Sequence, residues 1–257
     1  MSTNEARVNK FTFSGLQVTA IVTSIQAVDV ANVGSTTVAK SNFCGSNGCY
    51  FNYANGNLVA IACSDGGKPV RVGGEKHAND YTRGTMICRK LPNGELTISV
   101  EAINKLSDSS IPLSEIRWAV GGLGLYLNST MTNKEWLELI KDKEHAWSVG
   151  RVYPEGKAAR TAIGYRRTDN KIILASIQSA TPSQVRDLMK TYIGCELGVM
   201  LDGGASSQIK GKTPGGTIES ADYENKGKDR GVHEDQNIYS MVTVSPTRWI
   251  SNPQMRR

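Results

Sequence analysis

Residues 171–207 constrain the fold more tightly than any other part of the chain. Residues 171–177 form a short apolar run of strand type, and Thr181 then supplies an N-cap hydroxyl. Pro182 stands at the first helical position, Gln184 completes a capping box, and Gly194 provides the stop. Between them Val185, Leu188, Met189, Tyr192 and Ile193 recur at helical spacing and make one apolar face. A second short apolar run, 197–201, ends abruptly in Asp202-Gly203-Gly204-Ala205-Ser206-Ser207. The order predicts a βαβ unit, strand 171–177, helix 182–193 and strand 197–201, with its two strands parallel and adjacent. It delivers a carboxylate, two glycines and two hydroxyls to the carboxyl end of a strand, where ligands of α/β sheets gather.

Hairpin signals dominate elsewhere. Segments 85–91 and 95–101 flank Asn93-Gly94, and 161–167 and 171–177 flank Asp169-Asn170. Residues 16–30 read as one strand or two; 57–63, 115–120 and 237–244 read as single strands. Thr132 and Glu135 form a second capping box, before a helix carrying Trp136, Leu137 and Ile140. Residues 208–236 are polar and glycine-rich with few apolar residues, Ile218 among them, and read as a long lid loop after the Asp202 run. The expected architecture is one α+β domain over 1–257, core about 16–244, with mixed twisted β-sheets, flanking helices and the βαβ unit ending in the Asp-Gly-Gly loop.

Composition narrows the function classes. With 257 residues and 39% hydrophobic content the chain can bury a sizeable core. Its net charge of +6 is scattered rather than gathered into a basic tract, which argues against nucleic acid as a partner. No apolar run approaches the roughly 20 residues that span a bilayer. Residues 1–10 are polar and lack a signal-peptide core, so the expectation is a cytoplasmic protein, or a secreted one if a leader has been removed. Cys44, Cys49, Cys63, Cys88 and Cys195 are odd in number and irregular in spacing, fitting buried thiols better than a disulfide framework or zinc site.

Four segments carry polar chemistry. They are Ser46-Asn47-Gly48-Cys49-Tyr50-Phe51-Asn52, Gly121-Gly122-Leu123-Gly124, Arg160-Thr161-Ala162-Ile163-Gly164, and the Asp202 run. Alone, each has an ordinary reading: a turn, a glycine loop, a surface arginine, a tight turn. Together and in this order they resemble the phosphodiester glycosidase family, whose pattern runs N-G-G-Y-F, G-G-G, R-T-A-I-G, L-D-G-G-G-S-S. The resemblance spans about residues 42–244, and Arg230-Gly231-Val232 loosely matches a further R-P-V element. Cys49, Leu123 and Ala205 stand where the pattern has glycine, and Ala158-Ala159 where many members have His-Pro. Side chains added at glycine positions are expected to narrow a sugar pocket.

The resemblance implies hydrolysis between a sugar's anomeric carbon and a phosphodiester oxygen. The residue types suit that reaction. Phosphate leaves readily, because its second pKa is about 6, so a cationic fork can replace the protonating acid of ordinary glycosidases. Arg160 fits that task. Asp202 is expected to act as nucleophile, as a base aligning water, or as an acceptor for sugar hydroxyls. Asn47, Ser206 and Ser207 are expected to bond sugar or phosphate and Tyr50 to pack on the sugar. Backbone N–H groups around Gly203, Gly204 and Gly122 are expected to add a nest for the phosphate anion, and Gly48, Thr161 and Arg230 complete the expected binding set. Asp65, Glu101 and Glu115 are the acids considered as a second carboxylate and read as solvated strand-edge groups. No cofactor is expected and no metal site is read; a divalent cation on Asp202 is left open, as is a homo-oligomer. The expected substrate is a small phosphorylated sugar or nucleotide-derived molecule, with no membrane partner. The competing expectation is a non-catalytic module that sequesters such a ligand. A serine hydrolase and a phosphate-loop nucleotidase are excluded, since Gly-x-Ser-x-Gly and Gly-x-x-x-x-Gly-Lys-Ser/Thr are absent.

Overall fold

The computed structural model describes residues 4–71, 78–147, 152–221 and 236–251. In chain order its strands are β1 (Glu5–Phe13), β2 (Leu16–Ser24), β3 (Val28–Thr36), β4 (Gly45–Asn47), β5 (Ala62–Ser64), β6 (Lys68–Pro69), β7 (Ala78–Lys90), β8 (Leu96–Lys105) and β9 (Ile116–Gly121). They continue with β10 (Leu123–Gly124), β11 (Ala158–Arg166), β12 (Lys171–Ala180), β13 (Leu197–Met200), β14 (Gln208–Thr213), β15 (Gly216–Ala221), β16 (Ile238–Val244) and β17 (Arg248–Trp249). Two helices join them, α1 (Asn133–Lys143) and α2 (Pro182–Asp187).

Three sheets result. The first has seven strands, ordered β10-β13-β11-β12-β2-β1-β17; the second has five, β15-β14-β4-β16-β3; the third has five, β6-β5-β9-β7-β8. The first sheet is covered on both faces, which explains the unbroken apolar run of β12. Ile172 and Leu174 join the core shared with the other two sheets, where Val30, Met86, Trp118, Ile209 and Met241 lie. Ile173, Ala175 and Ile177 point the other way, onto Trp136 and Ile140 of α1 and Val185 of α2. A third cluster, including Ile61, Ile87 and Ile103, covers the far side of the third sheet. Each such side chain contributes about 1.5–3 kcal/mol when fully buried.

Local signals and local structure agree at the caps and hairpins. Thr132 and Thr181 cap α1 and α2 with reciprocal bonds to Glu135 and Gln184. Asn170 takes the left-handed turn between β11 and β12 at φ 56°, and Gly94 turns β7 into β8 at φ 84°. Residues 16–30 are two strands that part at a 3-10 turn, Ile25–Ala27, and enter different sheets.

Several expectations are corrected. The strands of the expected βαβ unit, β12 and β13, are parallel but not neighbours; β11 lies between them, antiparallel to both. The tight Asp169-Asn170 hairpin sets β11 against β12, so the returning chain takes the next free edge. Helix α2 stops at Asp187 and widens into a π-helical turn, Leu188–Tyr192, closed by Gly194 at φ 79° and a Cys195 N–H to Met189 carbonyl bond of 2.8 Å. Within 57–63 the strand is confined to its end, since β5 begins at Ala62. The expected lid begins instead as a hairpin, β14–β15, whose outer strand is a sheet edge and is accordingly polar. Residues 222–235 of that segment, with Arg230, lie outside the described residues. The N-terminal segment that sequence left outside the core pairs with β2 along eight residues as β1.

Candidate functional site

The three sheets meet around a cavity of about 480 Å³ lined by Tyr50, Phe51, Tyr53, Arg83, Arg160, Asp202 and Gly203, with Val59, Val152, Ala158 and Gly204. Asp202 follows β13, Arg160 sits near the start of β11, Tyr50 and Phe51 follow β4, and Arg83 comes from β7. Antiparallel pairing of β11 with β13 brings the arginine and aspartate segments side by side, with Leu201 N–H donating to the Thr161 carbonyl at 2.8 Å.

The turn bearing Asp202 is held by its backbone. The Asp202 N–H donates to the Gly48 carbonyl at 3.3 Å, and the Asn47 side-chain amide donates to the Asp202 carbonyl at 2.8 Å. Asn47 Oδ1 accepts from Thr161 Oγ1 at 2.8 Å and from the Gln208 N–H at 3.1 Å. Thr161 and Ser207 hydroxyls bond each other at 2.8 Å, and Ser207 approaches Ser176 at 3.4 Å. Asn47, Thr161 and Ser207 are therefore internally satisfied. Expected to bond ligand, they instead tie three of the four sequence segments into one buried knot behind the cavity.

The glycines divide likewise. Gly203 lies on the cavity wall, its N–H donating to Asp202 Oδ1 at 2.9 Å, and Gly204 lies beside it. Gly48 does not line the cavity; a Cβ there would meet Ser240 Oγ at 2.5 Å, so it permits close passage of β16. Gly122 is excluded from an anion nest, because its N–H donates to the Gly84 carbonyl at 2.9 Å. The pocket-narrowing expectation also fails. Cys49 and Leu123 are buried in the two main cores, and Ala205 is exposed away from the lining.

On the wall, polar groups are left unused by the protein. Burial pushes the Asp202 carboxyl up to about 7, against the Ser206 hydroxyl, the Gly203 N–H and the Arg160 charge, which pull it down. Ser206 is fully buried beside it, and its hydroxyl has no well-formed hydrogen bond. Arg160 Nε donates to the Ala180 carbonyl at 3.3 Å and Nη2 to the Gly156 carbonyl at 2.8 Å, while Nη1 has no protein acceptor among the described residues. Burial lowers its pKa and Tyr50 and Asp202 raise it; a guanidinium stays cationic throughout. Tyr50 is pushed up to about 12 by burial, so its hydroxyl stays protonated.

Sequence reasoning missed Arg83 and Tyr53, both on the lining. Neither belongs to a motif, and Arg83 follows an irregularity in the pairing of β7 with β8 between Ala78 and Arg83. The other acids weighed in the sequence stand elsewhere. Glu115 pairs with Arg89 at 2.6 Å, Glu101 accepts from Ser110 at 2.8 Å, and Asp65 sits in a turn. Asp202 is the one carboxylate on the described lining. No group of three or more His, Cys, Asp or Glu is placed to hold a metal among the described residues, and all five cysteines are buried and free. No described helix is long and apolar enough to cross a membrane.

A fold of this kind is found in solved structures. The chain is similar to the zebrafish N-acetylglucosamine-1-phosphodiester α-N-acetylglucosaminidase catalytic domain, auto-inhibited by its pro-peptide, with a TM-score of 0.65 and 16% identity over 93% of this chain and 82% of that one. A protein from Burkholderia pseudomallei gives 0.59 with 12% identity, covering 90% and 74%, and a hypothetical protein from Synechocystis gives 0.54 with 10%, covering 93% and 61%. No curated protein matches by sequence. The family model for phosphodiester glycosidases matches residues 35–234, which include all four sequence segments, three of which build the knot and the cavity wall. The chain belongs to the phosphodiester glycosidase family.

Proposed function

We propose that this cavity hydrolyses the bond between the anomeric carbon of a sugar and a phosphoryl oxygen. The observation carrying the proposal is the shared wall of Asp202 and Arg160, one with a carboxyl held near neutrality and the other with part of its fork unused. A pKa near the working pH suits a proton acceptor. In the proposed step water attacks the anomeric carbon while the bond from that carbon to the phosphoryl oxygen breaks. The bonding electrons leave with the phosphate, and the water proton passes to the Asp202 carboxylate and then to solvent. Arg160 stabilises charge gathering on the departing phosphate, which needs no proton to leave at neutral pH. A single lining carboxylate is consistent with that division of labour, since ordinary glycosidases require two.

The sequestering alternative rested on altered glycines at Cys49, Leu123 and Ala205, and none of these side chains lines the cavity. The test is release of free sugar from sugar-1-phosphodiesters and from UDP-N-acetylglucosamine. Turnover that requires Asp202 supports the proposal. Calorimetric binding with ligand recovered intact, or an Asp202→Asn enzyme as fast as wild type, would sink it.

A further inference from the structure

Arg83 and Arg186 are both buried, at 1% and 3% exposure, and they are treated oppositely. Arg186 is fully engaged: Nε donates to the Leu125 carbonyl at 3.0 Å, Nη1 to Asn133 Oδ1 at 2.7 Å, and Nη2 to the Met131 carbonyl at 3.0 Å and Ser129 Oγ at 3.4 Å. Among the described residues, Arg83 has no hydrogen-bond partner at Nε, Nη1 or Nη2. A buried guanidinium without acceptors is strongly disfavoured unless something outside the protein supplies them.

The surroundings of Arg83 are built to hold it there. The Gly84 N–H donates to Glu144 Oε2 at 2.9 Å, and the Gly84 carbonyl accepts from Gly122 at 2.9 Å. A Cβ on Gly84 would lie 2.5 Å from the Gly124 Cα, so this backbone is pressed against its neighbour. The pairing of β7 with β8 is irregular just before this point, between Ala78 and Arg83, and Arg83 lines the cavity. The Tyr50 ring lies under the guanidinium at 5.1 Å. Glu144 is the nearby counter-charge, yet its oxygens are occupied by Gly84, Gly124 at 3.0 Å and the Tyr126 hydroxyl at 2.7 Å. Burial raises the Glu144 pKa, the Arg83 charge acts against that rise, and Glu144 takes none of the Arg83 donors.

We infer that the cavity takes a substrate with two anionic groups, the scissile phosphodiester at Arg160 and a second phosphoryl or carboxylate group at Arg83. This makes Arg83 the residue that sets specificity for a doubly charged glycosyl phosphoester. The inference rests on the proposed hydrolysis for its substrate class, and its own content is the second anion.

Initial rates of sugar release at fixed ionic strength test it on the full chain with three probes. Methyl N-acetylglucosaminyl phosphate carries one charge. UDP-N-acetylglucosamine adds a second phosphoryl group, and the methyl phosphodiester of glucuronic acid 1-phosphate adds a carboxylate. Wild type is expected to favour one doubly charged probe over the singly charged one by about 10–100-fold in kcat/KM, the scale of charged hydrogen bonds. The probe favoured identifies the second group. Arg83→Gln should reduce that ratio by at least about tenfold, mainly through KM, and Arg83→Lys should restore part of it. Absence of a preference in wild type, or an equal loss on all three probes with no rescue by lysine, would overturn the inference. Should no probe release sugar, the hydrolytic reading fails by itself, and calorimetry with pyrophosphate and with dimethyl phosphate decides the rest. Tighter pyrophosphate binding that Arg83→Gln abolishes supports the second anion site, and binding indifferent to Arg83 refutes it.

Discussion

Two polar regions adjoin where the sheets meet. Behind the cavity, Asn47, Thr161, Ser207 and Gln208 satisfy one another and the backbone of the Asp202 turn. On the wall, Asp202, Arg160 and Arg83 keep donors or charge that no described residue uses. Members of the same sequence segments fall into both: Thr161 follows Arg160 directly, yet one builds and the other faces the space. Family motifs therefore mix groups that hold a site with groups that act in it, and only hydrogen-bond accounting separates them.

The strongest way to break this distinction is at Asp202. Asp202→Asn should lower kcat by about 10²–10⁴-fold, as loss of a general base does. In wild type, kcat/KM should rise with pH through about 7, because the carboxylate is the active form and its pKa is raised. A rate that falls across that range would reassign the residue as an acid. Arg160→Ala should cost about 10²–10³-fold in kcat, with Arg160→Lys recovering part. A loss confined to KM would place the arginine in uniform binding instead.

The knot should answer in stability. Asn47→Ala takes the acceptor from the buried Gln208 N–H and frees the Asp202 turn, a loss of about 2–4 kcal/mol in urea melts. Unchanged stability with collapsed activity would put Asn47 back on the ligand. Asp202→Asn should act in the opposite direction. Because its folded pKa is raised above that of the unfolded chain, wild type loses stability as pH climbs from about 4 to about 7. The variant should therefore be more stable by about 1–3 kcal/mol at pH 8, with the gain vanishing below pH 4. Thr161→Val, which removes one hydroxyl from the knot, should cost about 1 kcal/mol.

Much of this is legible in the sequence. Capping boxes at Thr132 and Thr181, and turns at Gly94 and Asn170, act over four or five residues and fold as written. The placement of Asp202 past a strand end was readable for the same reason. The hairpin β14–β15 reads as a loop in sequence because its outer strand, a sheet edge, needs few apolar residues, here Ile218.

Sequence alone determined the local elements and the residue types that converge, since propensity, capping and turn chemistry are short-range. Tertiary structure alone decided that β11 separates β12 from β13, that Asn47 and Thr161 bond the protein, and that Arg83 enters the cavity with no hydrogen-bond partner among the described residues. Strand order and side-chain satisfaction depend on which distant segments share an edge or a buried volume. No window of adjacent residues encodes that choice, because it is made by the packing of the whole chain.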